Sequence, residues 1–243
     1  MTKVMHFING KLVDNSSNRV GKVFDPALGV TVREVALAEE VDANSAIKAA
    51  SDAFPSWRDT SLTKRQQIMF NFREILNAKK EELAAIVTEE HGKTLPDALG
   101  EVTRGLEVVE FSTGMANLLK GSYSETVSTS IDVYSIKQPL GVVGIISPFN
   151  FPAMVPMWFF PIAIASGNTV VLKPSEKNPS AAIWIAEKLK EAGLPDGVFN
   201  VLQGDKVAVD SLLKHPDVQA ISFVGSTPIA QYVYESGTAH GKR

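Results

Sequence analysis

The sequence predicts an α/β protein: a Rossmann-like parallel sheet with flanking helices, preceded by short N-terminal strands and a helical segment, and carrying a β-hairpin arm. Three observations predict it. From Gly141 onward, short runs that are apolar throughout (VVGIIS, NTVVLK, VFNVL and AISFVG) alternate with apolar-periodic stretches at 153–166, 179–192 and 206–214. A strand with no polar face is covered on both sides, as in parallel sheets packed between helices, and right-handed crossovers make such a unit doubly wound. Between residues 42 and 119 the apolar spacing is helical, and residues 122–137 alternate in polarity and are rich in Ser, Thr, Val and Ile. On this reading the chain divides into strands and helices at 1–121, a hairpin at 122–140 and the Rossmann-like core at 141–243.

The elements follow in order. Residues 4–38 alternate short apolar runs with turn residues; Asn9-Gly10 signals a tight hairpin, and Asp25-Pro26 with Gly29 a second turn. Ala46, Ala49, Ala50 and Ala53 form the small-residue face of a first helix, expected to end before Pro55. Thr63 with Gln66 has the spacing of a capping box. Ile68, Phe72, Ile75 and Leu76, then Leu83, Ile86 and Val87, carry one apolar face to a stop at Gly92. A third helix is expected from about Asp97 to Leu119. The polar ribbon at 122–137 reads as an exposed hairpin, which either protects its edge or pairs with another chain. In the core, Asn178 is expected to cap the 179–192 helix, with Pro179 in its first position and Gly193 and Pro195 closing it.

Composition narrows the function. The chain has 243 residues, 24 basic against 27 acidic side chains, a net charge of −3 and 44% apolar residues. That balance excludes collagen-like, fibrous and disordered classes, and gives no bulk electrostatic reason to bind nucleic acid. With no cysteine there are no disulfides, thiolate metal sites or cysteine nucleophile. The N-terminus, MTKVMHFINGKLVDNSS, lacks a signal-peptide pattern, so a cytoplasmic setting is expected. No residue from Gln138 to Leu172 is charged, yet Pro139, Pro148, Pro152, Pro156 and Pro161 interrupt the run. Each interior proline removes a helix hydrogen bond and clashes with the preceding turn, so the segment reads as a buried strand–loop–helix–strand unit and not a membrane span.

Ligands of open parallel sheets bind outside the carboxyl ends of the strands, which selects the loops Ser147–Pro152, Lys173–Glu176, Gln203–Asp205 and Gly225–Thr227. In the first, two prolines hold Asn150 between two aromatic rings; its amide is either a donor suited to a developing oxyanion or a turn residue bonded to its own backbone. In the second, Lys173 and Glu176 either bind the two hydroxyls of a ribose or form a surface ion pair. In the last, Ser226 opens a helix whose N-terminus attracts phosphate or is simply capped. His6, His91, His215 and His240 lack metal-ligand spacing and read as surface residues, so no metal is expected. No GxGxxG, GxSxG or P-loop is present.

Taken together, PFNFP, GNTVVLKPSE, GLPDGVFNVLQG and FVGST, in this order and spacing, resemble the aldehyde dehydrogenase superfamily across essentially all of the chain. Phe149, the segment GEVTRGLEVVEF and the segment MVPMWFFPIAIASGNT are similar to its CoA-acylating methylmalonate-semialdehyde dehydrogenases, and specifically to their N-terminal part. The resemblance implies roles. Asn150 is the oxyanion-stabilising amide; Ser147 and Phe149 contact the nicotinamide side of NAD through their backbone. Lys173 and Glu176 bind the adenine ribose, Lys177 stands where the subfamily often has a basic residue, and Ser226 meets the pyrophosphate. Arg104 holds the semialdehyde carboxylate, a role a guanidinium fork suits, although its spacing also fits pairing with Glu101 or Glu107. Ala230 departs from the glycine of many relatives. The resemblance further implies that 122–137 is an oligomerisation strand pair, that CoA is co-substrate, and that a cysteine thiolate attacks the aldehyde before hydride leaves to NAD. This chain holds no such cysteine, so it is expected to be the cofactor half and to be inactive alone. Two other readings remain: a hydrolytic aldehyde or semialdehyde dehydrogenase, and a non-catalytic NAD-binding or assembly module.

Overall fold

A computed structural model describes residues 2–243. The chain opens with β1 (Thr2–Val4), β2 (His6–Ile8) and β3 (Lys11–Val13). Asn9 and Gly10 take positive φ, 50° and 74°, the geometry of a two-residue turn whose twist matches an antiparallel hairpin; β2 and β3 pair accordingly. β4 (Val20–Asp25) and β5 (Val30–Ala36) are antiparallel, while β1 joins β5 in parallel, giving a separate sheet ordered β1-β5-β4.

Four helices and a short one follow. α1 (Glu40–Arg58) does not stop before Pro55. The missing hydrogen bond costs about 3 kcal/mol, but Trp57, only 1% exposed, packs in the core and its indole N–H donates to the Ile164 carbonyl at 3.1 Å. Burying that side chain and its donor offsets the proline and carries the helix one turn further. α2 (Leu62–Ala78) is capped by Ser61, which accepts from the Lys64 amide, so the cap lies two residues before the expected Thr63. The apolar face then breaks at Lys79 into α3 (Lys80–His91), which ends on Gly92 at φ 83°, as expected of a left-handed stop. α4 (Leu95–Ser112) and α5 (Met115–Leu118) replace the single expected third helix, split at Thr113-Gly114.

The ribbon forms β6 (Tyr123–Ser128) and β7 (Ile131–Tyr134), antiparallel and exposed at every residue. Beyond it come β8 (Val142–Ile146), α6 (Met154–Ala165), β9 (Thr169–Lys173), α7 (Ser180–Glu191), β10 (Phe199–Val201), α8 (Lys206–Lys214), β11 (Val218–Phe223) and α9 (Thr227–Ala239). The uncharged segment is thus β8, α6 and β9, and among the described residues no helix is long and apolar enough to cross a membrane. β11, β8, β9 and β10 are parallel neighbours in that order, and β2 and β3 extend the sheet antiparallel beyond β10, a long-range join that short-range spacing does not encode.

Alternate strand residues feed two cores, one on each face. Ile145, Val170 and Leu172 pack with Phe72, Leu76, Val102, Val109, Phe160 and Ile185 from α2, α4, α6 and α7. Ile146 and Val171 face the other way, onto Ala46, Ile47, Leu212 and Val233 from α1, α8 and α9. With both faces filled, the loops at the strand ends are where polar chemistry is left.

Candidate functional site

Three backbone bonds fasten the carboxyl ends of the parallel strands side by side. The Val224 amide donates to Ile146 at 3.3 Å, the Ser147 amide to Lys173 at 3.1 Å, and the Leu202 amide to Leu172 at 2.8 Å. With neighbouring strands about 4.8 Å apart, Ser226, Ser147, Lys173 and Gln203 lie along one edge of the sheet. The polar groups left at this edge have a definite chemistry.

Ser147 is 4% exposed, and its hydroxyl has no hydrogen-bond partner among the described residues. A buried, unspent hydroxyl at a strand tip is an open position for a ligand. Lys173 is the last residue of β9 and is buried, with its Nζ 3.4 Å from Glu176 Oε2. Burial pulls the Lys173 ammonium below its ordinary value, against the opposing pull of Glu176 and Asp205. The pair is therefore not the exposed ion pair of the plainer reading: the lysine is inside and the carboxylate faces out. Ser226 occupies the N-cap of α9, yet its side chain makes no capping bond, which leaves the hydroxyl and the first amides of the helix free for an anion. An ideal Cβ on Gly225 would lie 2.4 Å from the Phe223 ring, so the approach to α9 needs glycine.

The Ser147–Pro152 loop leaves this edge and reaches a cleft. The Phe149 ring stacks against His91, with centroids 6.5 Å apart, and Lys177 Nζ sits 4.4 Å from its centre. The Phe149 carbonyl accepts from Asn178 Nδ2 at 2.5 Å. Asn178 is thus turned to this loop through Nδ2, its Oδ1 has no partner among the described residues, and it does not cap α7; Pro179 is the N-cap, and the first-turn amide of Ser180 donates to Glu90 instead, at 3.0 Å. Asn150 is exposed, and its side-chain amide makes no hydrogen bond among the described residues, so it is not held to its own backbone. Phe151 turns the other way and lines a cleft of about 420 Å³ with Lys93, Glu101 and Arg104.

Arg104 is exposed on α4 and has no ion-pair partner among the described residues. Glu107 does not pair with it, and Glu101 is turned inward, its carboxylate 1% exposed and bound to Lys93. Ser147, Lys173, Glu176 and Ser226 thus share the sheet edge, Phe149 and Lys177 form one flank of the loop, and Arg104 lies on the far side with Asn150 between. Sequence reasoning missed Lys93, Glu101, Glu90 and Asn178. The available signal was a carboxylate on an apolar stripe: Glu101 follows Ala98 and precedes Gly105 and Leu106 on the buried face of α4, and Glu90 follows Leu83 and Val87 on that of α3. His6 is a correction of another kind. It is 0% exposed, and its Nδ1 accepts from the Gln203 amide at 3.0 Å. Among the described residues no group of three or more His, Cys, Asp or Glu is placed to hold a metal ion.

This chain, with a parallel sheet whose strand tips carry a serine at a helix start and a lysine–glutamate couple, matches the aldehyde dehydrogenase family model over residues 12–243. The chain belongs to this family. It is 51% identical over 243 residues to the malonate-semialdehyde dehydrogenase of Pseudomonas aeruginosa, covering 100% of this chain and 49% of that one. The crystal structure of methylmalonate-semialdehyde dehydrogenase (DddC) from Oceanimonas doudoroffii superimposes with a TM-score of 0.98 at 51% identity, over 100% of this chain and 50% of that one. A Sinorhizobium meliloti protein assigned as a methylmalonate-semialdehyde dehydrogenase, solved in complex with NAD, gives 0.98 at 49% identity with the same coverage. The chain spans about half the length of these relatives.

Proposed function

We propose that this chain is the cofactor-binding half of an NAD-dependent dehydrogenase that oxidises malonate or methylmalonate semialdehyde and delivers acetyl- or propionyl-CoA, with loss of carbon dioxide. The observation that supports the reading is the Ser147–Pro152 loop, which leaves the strand tips beside Lys173 and reaches a cleft holding Arg104, unpaired among the described residues.

The strand-tip edge fits NAD. Its orphaned Ser147 hydroxyl and the uncommitted Ser226 hydroxyl at the start of α9 are open polar positions, suited to the nicotinamide side and the pyrophosphate. Lys173 and the outward Glu176 carboxylate suit a ribose diol, and the carboxylate repels a ribose 2′-phosphate. Lys177 and Phe149 close the loop side. NAD, when bound, accepts the hydride; the residues of this chain bind, orient and stabilise. Asn150 holds an unspent amide that can donate a hydrogen bond to an oxyanion, a contribution worth about 3–4 kcal/mol in enzymes that depend on it. Arg104 is free to take the substrate carboxylate bidentately. The attacking thiolate is not supplied by this chain, which contains no cysteine. The exposed β6–β7 arm suits pairing with a second copy in a homo-oligomer.

Titration calorimetry tests the cofactor half directly: the chain is expected to bind NAD in preference to NADP. NADH production by this chain alone would overturn its assignment as the half without the nucleophile. For the protein expressed from the whole reading frame, free acid formed at the same rate with or without CoA, and no thioester, would overturn the acylating assignment.

A further inference from the structure

We infer that Lys93 and Glu101 act as a positioning couple that fixes the Asn150 amide, an inference that rests on Asn150 being the oxyanion donor. Glu101 Oε1 accepts from the backbone amides of Ala153 at 2.8 Å and Met154 at 3.0 Å, the point where the loop becomes α6. Its other oxygen, Oε2, takes Lys93 Nζ at 2.6 Å, and the same Nζ donates to the Asn150 carbonyl at 3.0 Å. The ammonium also lies 4.3 Å from the centre of the Phe151 ring. One ion pair therefore grips the loop twice, at the carbonyl of Asn150 itself and at the amides three and four residues on.

The pair is built for position. The Glu101 and Lys93 side chains are 1% and 12% exposed, so neither is a solvated surface charge. A buried carboxylate at the N-terminus of α6 meets free amides and the positive end of the helix, which makes its orientation specific. The Asn178–Phe149 bond holds the other end of the loop. Between these grips lie Asn150, Phe151 and Pro152, and the Lys93 bond restrains the chain at the Asn150 carbonyl. Lys93 is also spent on Glu101, the Asn150 carbonyl and the Phe151 ring, so in the cleft it shares with Arg104 it does not compete for an anion. The couple thereby leaves the carboxylate of a substrate to Arg104 and the oxyanion to Asn150.

The test uses this chain and needs neither NAD nor aldehyde, so it is separate from any failure of the dehydrogenase reading. The side-chain amide of Asn150 is followed by nitrogen-15 relaxation, and the Ala153 and Met154 amides by hydrogen exchange, in the wild type and in Lys93→Met, Lys93→Arg and Glu101→Gln. In Lys93→Met the Asn150 amide is expected to become mobile, with a fall in melting temperature because the buried Glu101 carboxylate loses its cation, and Lys93→Arg restores its order. In Glu101→Gln exchange at Ala153 and Met154 is expected to rise about tenfold or more as the charged acceptor is lost. An Asn150 amide equally ordered in Lys93→Met and the wild type would overturn the inference. So would equal loss of order in Lys93→Met and Lys93→Arg, which marks a merely structural lysine. Should Glu101→Gln fail to fold, the two Lys93 variants decide the matter.

Discussion

Acidification should weaken this fold through His6, and by a calculable amount. The ring is fully buried behind β10, with Asp42, Asp14 and Lys3 as its charged neighbours. Its Nδ1 accepts from the Gln203 amide, so the proton sits on Nε2, which has no partner among the described residues. A second proton on Nδ1 would face the Gln203 N–H donor to donor and place a charge in the core. Burial accordingly holds the folded-state pKa below 6.5, against the upward pull of Asp42 and Asp14. The unfolded chain then binds more protons than the folded one below about pH 6.5, and stability is lost as pH falls through this range. For a ring that stays neutral in the fold, the loss between pH 8 and pH 5.5 is about 1.4 kcal/mol. His91, also held low by burial, adds to the loss, and Glu90, held high by burial, opposes it. The decisive measurement is therefore a difference between two proteins. Urea unfolding of the wild type and of His6→Gln, whose amide oxygen can still accept from Gln203, should give curves that diverge over this range, by at most about 1.4 kcal/mol. Equal losses in the two proteins would refute the reasoning. The outcome bears on the strand-tip edge, because His6 is what holds the Gln203 backbone at the tip of β10, just before Asp205 caps α8.

Three further predictions follow from single contacts. Glu90→Ala strips the acceptor from the Ser180 amide and hydroxyl and one of the two carboxylates paired with Arg33, which keeps Glu89; it should cost about 1–3 kcal/mol by urea unfolding. Glu176→Gln removes the charge that repels a 2′-phosphate, and the preference for NAD over NADP should fall about tenfold or more by calorimetry, since one lost charge-assisted contact is worth about 1.5–3 kcal/mol. Ile131→Glu with Tyr134→Glu places charge on two arm residues that are 52% and 73% exposed; the mass by light scattering should drop towards the monomer while the melting temperature stays within a few degrees of the wild type, as expected for surface sites.

What the sequence could show follows the range of the forces involved. β8 to β11 were legible because a strand covered on both faces must be apolar at every position, a local signature. The Asn9-Gly10 turn was legible because few other residues tolerate two positive φ values in succession. The site loops were found by topology, from the rule that ligands gather at strand tips. The continuation of α1 past Pro55 was not legible, because the force that overrides the proline comes from the Ile164 carbonyl, far along the chain. Asn178 had the sequence of a cap, but its side chain turns to the Phe149 carbonyl and the Ser180 amide goes to Glu90. His6 carries no mark in a short window; it is buried because β2 lies against β10, a pairing between opposite ends of the chain.

The residues that escaped the sequence reading share a physical logic. Glu90 and Glu101 each occupy an apolar stripe of an upstream helix, where a leucine would pack as well and cost less to desolvate. Each instead accepts backbone amides from the first turn of a helix that follows a site loop, Ser180 for α7 and Ala153 with Met154 for α6. Each is balanced by a cation, Arg33 for the first and Lys93 for the second. A hydrophobic contact is indifferent to small rotations of the helix it touches, whereas a carboxylate bonded to first-turn amides is not. The upstream helices therefore do more than cover one face of the sheet. Through two buried carboxylates they set the angle at which α6 and α7 begin, and with it where Asn150 and Glu176 stand at the ends of β8 and β9.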